Sequence, residues 1–186
     1  MVRLSRILKS AVAAFLVFVW TPALADVEGE VLDKLFADLK AADEATFEPI
    51  EAKIWAEWSK SGSAAMDLLL HRGRTAMSAG DNEAAIDHFS ALIDHAPEFA
   101  EAYNARATAF YQADKYGPSL QDIRTTLAMN PRHFGALSGL ALILEELGEE
   151  EQALEAYRAI EAIHPNRANL KDAIERLEKA VGGVEL

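Results

Sequence analysis

Residues 66–99 read MDLLLHRGRTAMSAGDNEAAIDHFSALIDHAPEF, residues 100–133 AEAYNARATAFYQADKYGPSLQDIRTTLAMNPRH and residues 134–167 FGALSGLALILEELGEEEQALEAYRAIEAIHPNR. Laid over one another, the three blocks keep a common step of 34 residues. Pro97, Pro131 and Pro165 hold one column, and Gly80, Asp114 and Gly148 hold another, where a helix has to stop. Ala85, Ser119 and Ala153 form a small-residue column. Phe89, Ile123 and Tyr157 follow it one helical turn later. Gly73, Ala107 and Ala141 are a second small set, with Leu69, Tyr103 and Leu137 one turn before and Ala76, Phe110 and Leu144 three residues after.

Each block reads as two amphipathic helices. The first alternates large and small contacts at helical spacing, a turn follows at the Gly/Asp column, and the second helix runs to the proline. Helix starts are marked by Ser63, by Asp81 and by Pro118 within a first turn. A pair this short cannot bury its apolar stripe alone, so neighbouring pairs must stack into a superhelix. The expectation is an all-α solenoid.

Outward from the blocks, residues 26–62 carry an apolar stripe at Val31, Leu35 and Leu39, and then Ile50, Ile54, Trp55 and Trp58 beyond Thr46. This predicts a degenerate leading helical pair, without the proline and the small column, ahead of the repeats at 63–165. Residues 166–186 place Leu170, Ile174, Leu177 and Val181 at steps of four, three and four, as a capping helix with a short tail. At the other end, Arg3, Arg6 and Lys9 precede an apolar run from Ala11 to Trp20 and the exit Ala23-Leu24-Ala25. Residues 1–25 therefore read as a cleavable signal peptide, since ten apolar residues reach only about 15 Å as a helix. The expected location is the periplasm.

The whole chain of 186 residues carries a net charge of −12, and removing the leader's three basic residues leaves −15. Nothing in it offers the basic stripe that nucleic-acid phosphates or an anionic membrane surface require. The absence of cysteine excludes disulfides, thiolate zinc sites and a Cys nucleophile. No nucleophile elbow, phosphate-cradling glycine loop or H-E-x-x-H helix occurs, so no catalytic residue is assigned. His88 and His95 lie seven residues apart, about 10.5 Å along a helix, too far for one zinc ion. No cofactor or metal is expected. The acids Glu145, Glu146, Glu149, Glu150 and Glu151 around Gly148 read as a solvated corner, or as a landing site for a basic partner.

The columns resemble the tetratricopeptide repeat family from Met66 to Arg167, with His71-Arg72-Gly73 and Asn104-Ala105-Arg106-Ala107 at its Asn-Arg-Gly positions. Leu69, Leu137, Ala76, Ser119 and Ile123 depart from its usual residues. With Ile54-Trp55 and Trp58-Ser59, the chain also resembles uncharacterised secreted members from Gram-negative bacteria. The resemblance implies a right-handed superhelix whose concave face, lined by the first helix of each pair, binds peptides or helices. By family position the groove residues are Leu70, Arg74, Met77, Asn104, Thr108, Tyr111, Ser138 and Leu142, with Asp67, Glu101, Gly135 and Glu145 at further positions. They do not match the family's carboxylate clamp of lysines and asparagines. Gly135 and Gly139 either let first helices pack closely or leave a slot for a ligand. Trp55 and Trp58 are expected to pack against the first repeat, and become interface anchors if exposed.

The function these readings imply is a non-catalytic exported adaptor holding a peptide or helix of a cell-envelope protein in a free concave groove. The acidic balance suits a basic protein partner. Two other classes stay open: a structural accessory subunit of an envelope complex, and a helical-scaffold enzyme acting on cell-wall material through paired carboxylates.

Overall fold

The structure is a computed structural model and describes residues 23–183. The leader's basic head and apolar run and the last three residues of the tail lie outside the described residues. The described chain forms nine α-helices and no strand: α1 (Ala23–Ala41), α2 (Phe47–Trp58), α3 (Ala64–Ser78), α4 (Asn82–His95), α5 (Ala100–Gln112), α6 (Tyr116–Met129), α7 (Phe134–Glu146), α8 (Glu150–Ile163) and α9 (Leu170–Gly182).

The turn column explains how each block bends back on itself. Gly80, Asp114 and Gly148 adopt φ of +77°, +56° and +76°. In each turn the next residue's N–H reaches back to the last helical turn: Asp81 to Ala76 O, Lys115 to Phe110 O and Glu149 to Leu144 O, at 2.9–3.0 Å. This is the left-handed C-terminal cap, which satisfies carbonyls the ending helix orphans. Asp81 then caps α4, its carboxylate accepting from Ala84 N at 3.0 Å.

Packing within a block follows the small columns. A Cβ on Gly73 would lie 2.3 Å from Phe89 Cε1, so the smallest residue of its column faces an aromatic ring of the partner column. Ala107 and Ile123 share one buried cluster, and Ser119 closes on α5 with its hydroxyl donating to Ala107 O at 2.8 Å. Arg106 ties α5 to α6 through two bonds to Asp122, at 2.7 and 2.9 Å. The first helices α3, α5 and α7 run side by side and form the inner wall, with α4, α6 and α8 behind them. Leu170, Ile174 and Leu177 bury α9 against the last pair.

The leading pair departs from the expectation. Instead of stacking in front of α3, α1 and α2 fold back across the inner wall toward the last repeat. Phe36, Leu39, Phe47, Ile54 and Trp58 share one buried cluster with Phe134, Leu137, Ile160, Leu170 and Leu177. Asp33 pairs with Arg132 at 2.6 Å, the Arg132 guanidinium lies 4.3 Å from the Phe36 ring centroid, and Asn166 donates to Ala42 O at 2.5 Å. The physical reason lies at the start of α7, where the chain supplies aromatic surface and a missing side chain together.

Candidate functional site

The missing side chain belongs to Gly135. A Cβ there would lie 2.4 Å from Trp55 Cη2, so the edge of the Trp55 indole occupies the space that any other residue would fill. Neither a neighbouring first helix nor a ligand fills this space: its occupant is the chain's own α2. Gly139 instead packs on the second helix of the preceding pair, its Cβ position 3.3 Å from Ile123 Cδ1. Trp58 stacks on His133 with centroids 4.1 Å apart, and Trp55 meets Phe134 edge-on at 5.5 Å. Both tryptophans were expected against the first repeat, and both sit on the third.

Beneath them runs a buried polar chain. Glu101 is almost wholly buried and accepts from Arg74 Nη2 at 2.6 Å, from Asn104 Nδ2 at 3.1 Å and from His133 Nε2 at 3.0 Å. The Ala136 backbone N–H donates to His133 Nδ1 at 3.1 Å, which places the neutral ring's proton on Nε2, facing the carboxylate. Arg74 continues to Ser59 Oγ, just beyond α2, at 3.1 Å. These three donors replace much of the hydration that the buried carboxyl group gives up. A second imidazole repeats the device: His164 Nε2 lies 3.2 Å from Glu51 Oε2. That hydrogen bond holds the Glu51 carboxyl below its usual range against the opposing effect of burial, with help from Trp55 Nε1 and Arg167.

The eight expected groove residues divide into four sets. Leu70 is not in the groove: it is 2% exposed, packed with Ala85, Phe89, Ala102 and Ala105, because the alanines of α5 leave room for a leucine between α3 and α5. Arg74 and Met77 line an open groove between α2 and the wall, bordered on the α2 side by Ala52, Trp55, Ala56 and Ser59. Asn104 and Thr108 border both this groove and the open stretch beyond it, which holds about 260 Å³ against Tyr111, Ser138 and Leu142. Ser138 and Leu142 in turn border a wider hollow of about 660 Å³ reaching Tyr157, Arg167 and Arg176. The inner wall is therefore one path in three stretches, the first flanked by α2 and the other two beyond its reach.

Polar side chains frame the open stretches. Leu142 is 44% exposed. Tyr111 stacks on Tyr116 at 5.8 Å and donates to Glu146 at 2.5 Å. The two hydroxyls lower the Glu146 carboxyl, and the carboxylate pushes Tyr116 up to about 12. Burial and Glu145 raise Tyr157, which donates to that carboxylate at 2.7 Å. Burial pushes Glu145 up, but Arg176 at 2.6 Å and Tyr157 together bring it below its usual value. Arg167 donates to Phe134 O and Ser138 Oγ at the boundary of the two open stretches. The family's groove positions do not include His133, Arg167, Arg176 or Tyr157. The signal available was the 34-residue column Phe99, His133, Arg167, which turns from apolar to polar along the chain.

Among the described residues no three His, Asp or Glu side chains converge as a metal site, and no helix is long and apolar enough to cross a membrane. A sequence model of the tetratricopeptide repeat matches residues 70–121 and 107–168. A TPR repeat-containing protein of Rhizobium etli is 35% identical over 153 residues, covering 82% of this chain and 75% of that protein. The first TPR of Spaghetti (RPAP3) bound to the HSP90 peptide SRMEEVD superposes with a TM-score of 0.60 at 20% identity, covering 63% of this chain and 95% of that one. A crystal structure of MamA protein superposes with a TM-score of 0.58 at 21% identity, over 86% of this chain and 85% of that one.

Proposed function

The chain belongs to the tetratricopeptide repeat family, and from that premise we propose that it is a non-catalytic scaffold that holds a peptide or helix of a partner protein along its inner wall. The observation that carries this is the open path from Asn104 through Tyr111 and Ser138 to Leu142, continuous with the hollow before Arg176. Apolar Leu142 supplies an anchor point, while Asn104, Thr108 and Ser138 supply donors and acceptors for an extended backbone. The HSP90 peptide in the Spaghetti domain supports polypeptide as the ligand class. The wall here has no lysine of the carboxylate clamp, so a chaperone C-terminus is not the ligand proposed.

The place of action we propose is the periplasm, and the partner a cell-envelope protein. Support for this half comes from the sequence of residues 1–25. The net charge of −15 after leader removal supports a basic partner, through long-range steering.

A second reading, a structural accessory subunit that binds through its outer surfaces, gains support from α2 on the wall. Photo-crosslinking in cells separates the two. A probe at Leu142 gives the adduct if the inner wall binds, and a probe at exposed Arg124 on the outer layer gives it if the subunit reading holds. The mass of the purified protein's N-terminus, beginning at Asp26 or at Met1, tests the leader.

A further inference from the structure

The stretch of the wall flanked by α2 already holds a polypeptide, and the contacts state what it recognises. A glycine slot takes the Trp55 edge, an imidazole takes the face of Trp58 one turn on, Arg74 takes the hydroxyl of Ser59 and His164 takes the carboxylate of Glu51. These partners come from α3, from the start of α7 and from the loop before α9, so they are a surface preformed by the repeats and not a feature of α2.

The seat is also incomplete. Trp58 Nε1 and His164 Nδ1 are buried with no hydrogen-bond partner among the described residues. An open groove runs alongside α2 on the Arg74 side. The link to α3 is the five residues Ser59–Ser63, with Gly62 at φ +76°. The two unpartnered ring nitrogens cost α2 part of what burying Ile54 and Trp58 gains, so an outside helix that satisfies them competes for the seat on better terms.

We propose that the wall formed by Arg74, Glu101, His133 and Gly135 is a helix-docking site with α2 as its resident, displaceable occupant. Its outside partner is an amphipathic helix with two tryptophans three residues apart and an acid one turn ahead of the first. This rests on the reading of the inner wall as a polypeptide-binding surface and adds the partner's chemistry and the competition that regulates entry. A partner running the length of the wall then lifts α2, and binding to the open stretches is coupled to α2 leaving its seat.

The probe is a fluorescein-labelled synthetic peptide of residues 44–59, the α2 segment itself, titrated by fluorescence anisotropy into the full chain. The Trp55→Ala/Trp58→Ala chain, its seat vacated, binds the peptide at least tenfold more tightly than the native chain, and adding Gly135→Leu removes that gain. Equal binding by native and vacated chains, or a gain indifferent to Gly135→Leu, overturns the proposal. A second measurement stands if the vacated chain does not melt cooperatively. Trp20→Phe leaves Trp55 and Trp58 as the remaining indoles of the full chain. With Gly135→Leu in that chain, their emission shifts to longer wavelength and acrylamide quenching rises while far-UV helicity holds. Unchanged, shielded emission overturns it. An inner-wall partner that crosslinks at Leu142 yet leaves the tryptophan emission unmoved overturns this inference alone and leaves the scaffold reading in place.

Discussion

Gly73→Ala sets two opposing quantities against each other inside the first repeat. In an exposed helix the change gains about 1 kcal/mol from backbone propensity. Here the added methyl would stand 2.3 Å from Phe89 Cε1 and 2.6 Å from both Cδ1 and Cζ, where ordinary contact begins near 3.4 Å. The ring must therefore retreat by about 1 Å. Phe89 is fully buried against Leu70, Ala85 and Leu92, so it has no open side to move into. Overpacking of this kind costs about 1–3 kcal/mol, and two or three atoms in collision put it toward the upper end. The net expectation is a loss of about 1–2 kcal/mol, a melting point lower by roughly 2–8 °C for a chain of this size. Circular dichroism at 222 nm with temperature measures it. Gly139→Ala is the control: its new Cβ meets a mobile methyl, Ile123 Cδ1, at 3.3 Å, so propensity prevails and the chain is unchanged or slightly stabilised. Phe89→Leu in the Gly73→Ala background should cost less than in the native chain, because the cavity and the methyl offset each other. A Gly73→Ala chain that melts at or above the native temperature would refute the reasoning, since the ring would then have had somewhere to go.

Asp114→Gly relieves a left-handed residue at φ +56° in a turn where its equivalents are glycines, and should stabilise by about 0.5–1 kcal/mol in a urea titration. Leu142→Glu should abolish capture of the inner-wall partner while moving stability by no more than about 0.5 kcal/mol, since the side chain is largely solvated; capture and melting are read on the same preparation. Glu101→Ala strips Arg74, Asn104 and His133 of one acceptor at once and should cost about 2–3 kcal/mol, whereas Glu101→Gln retains part of the network. Glu51 titrates below its usual 4.5 in the folded chain, so the unfolded chain binds the proton first. Its contribution is thus complete above the ordinary value and lost as pH falls through the depressed one. Glu51→Gln should accordingly weaken the chain at neutral pH, and the gap from native should close under acid, followed by fluorescence.

The periodic part of the fold was legible because it obeys a rule each block repeats. Gly80, Asp114 and Gly148 share a phase, and all three take positive φ; Asp81 sits where a capping carboxylate is needed, and it caps. The position of α2 was not legible by the same means. It depends on Trp55 meeting Gly135 and Trp58 meeting His133, pairs some 80 residues apart that recur in no other block. Repeat logic places a leading pair beside its sequence neighbour, and local spacing carries no information that an aromatic slot lies two repeats away. Leu70 failed for a nearer reason. Its family position faces the groove, but Ala102 and Ala105 opened a gap in the wall and the leucine filled it. At the open stretch, Tyr111, Ser138 and Leu142, groove residues by family position, line one hollow, while Arg167 reaches Ser138 from the loop after α8, where the helical period says nothing about direction.

The fold-back of α1 and α2 also changes what kind of object the array is. A linear stack touches only nearest neighbours, so its ends fray separately and units can be added or deleted with graded effect. Here Phe36 and Trp58, near one terminus, share a core with Ile174 and Leu177, near the other. The line is closed into a circuit. Denaturation of either extremity withdraws support from its opposite, so melting is a single event, and a repeat inserted between the second and third would open the ring without extending it.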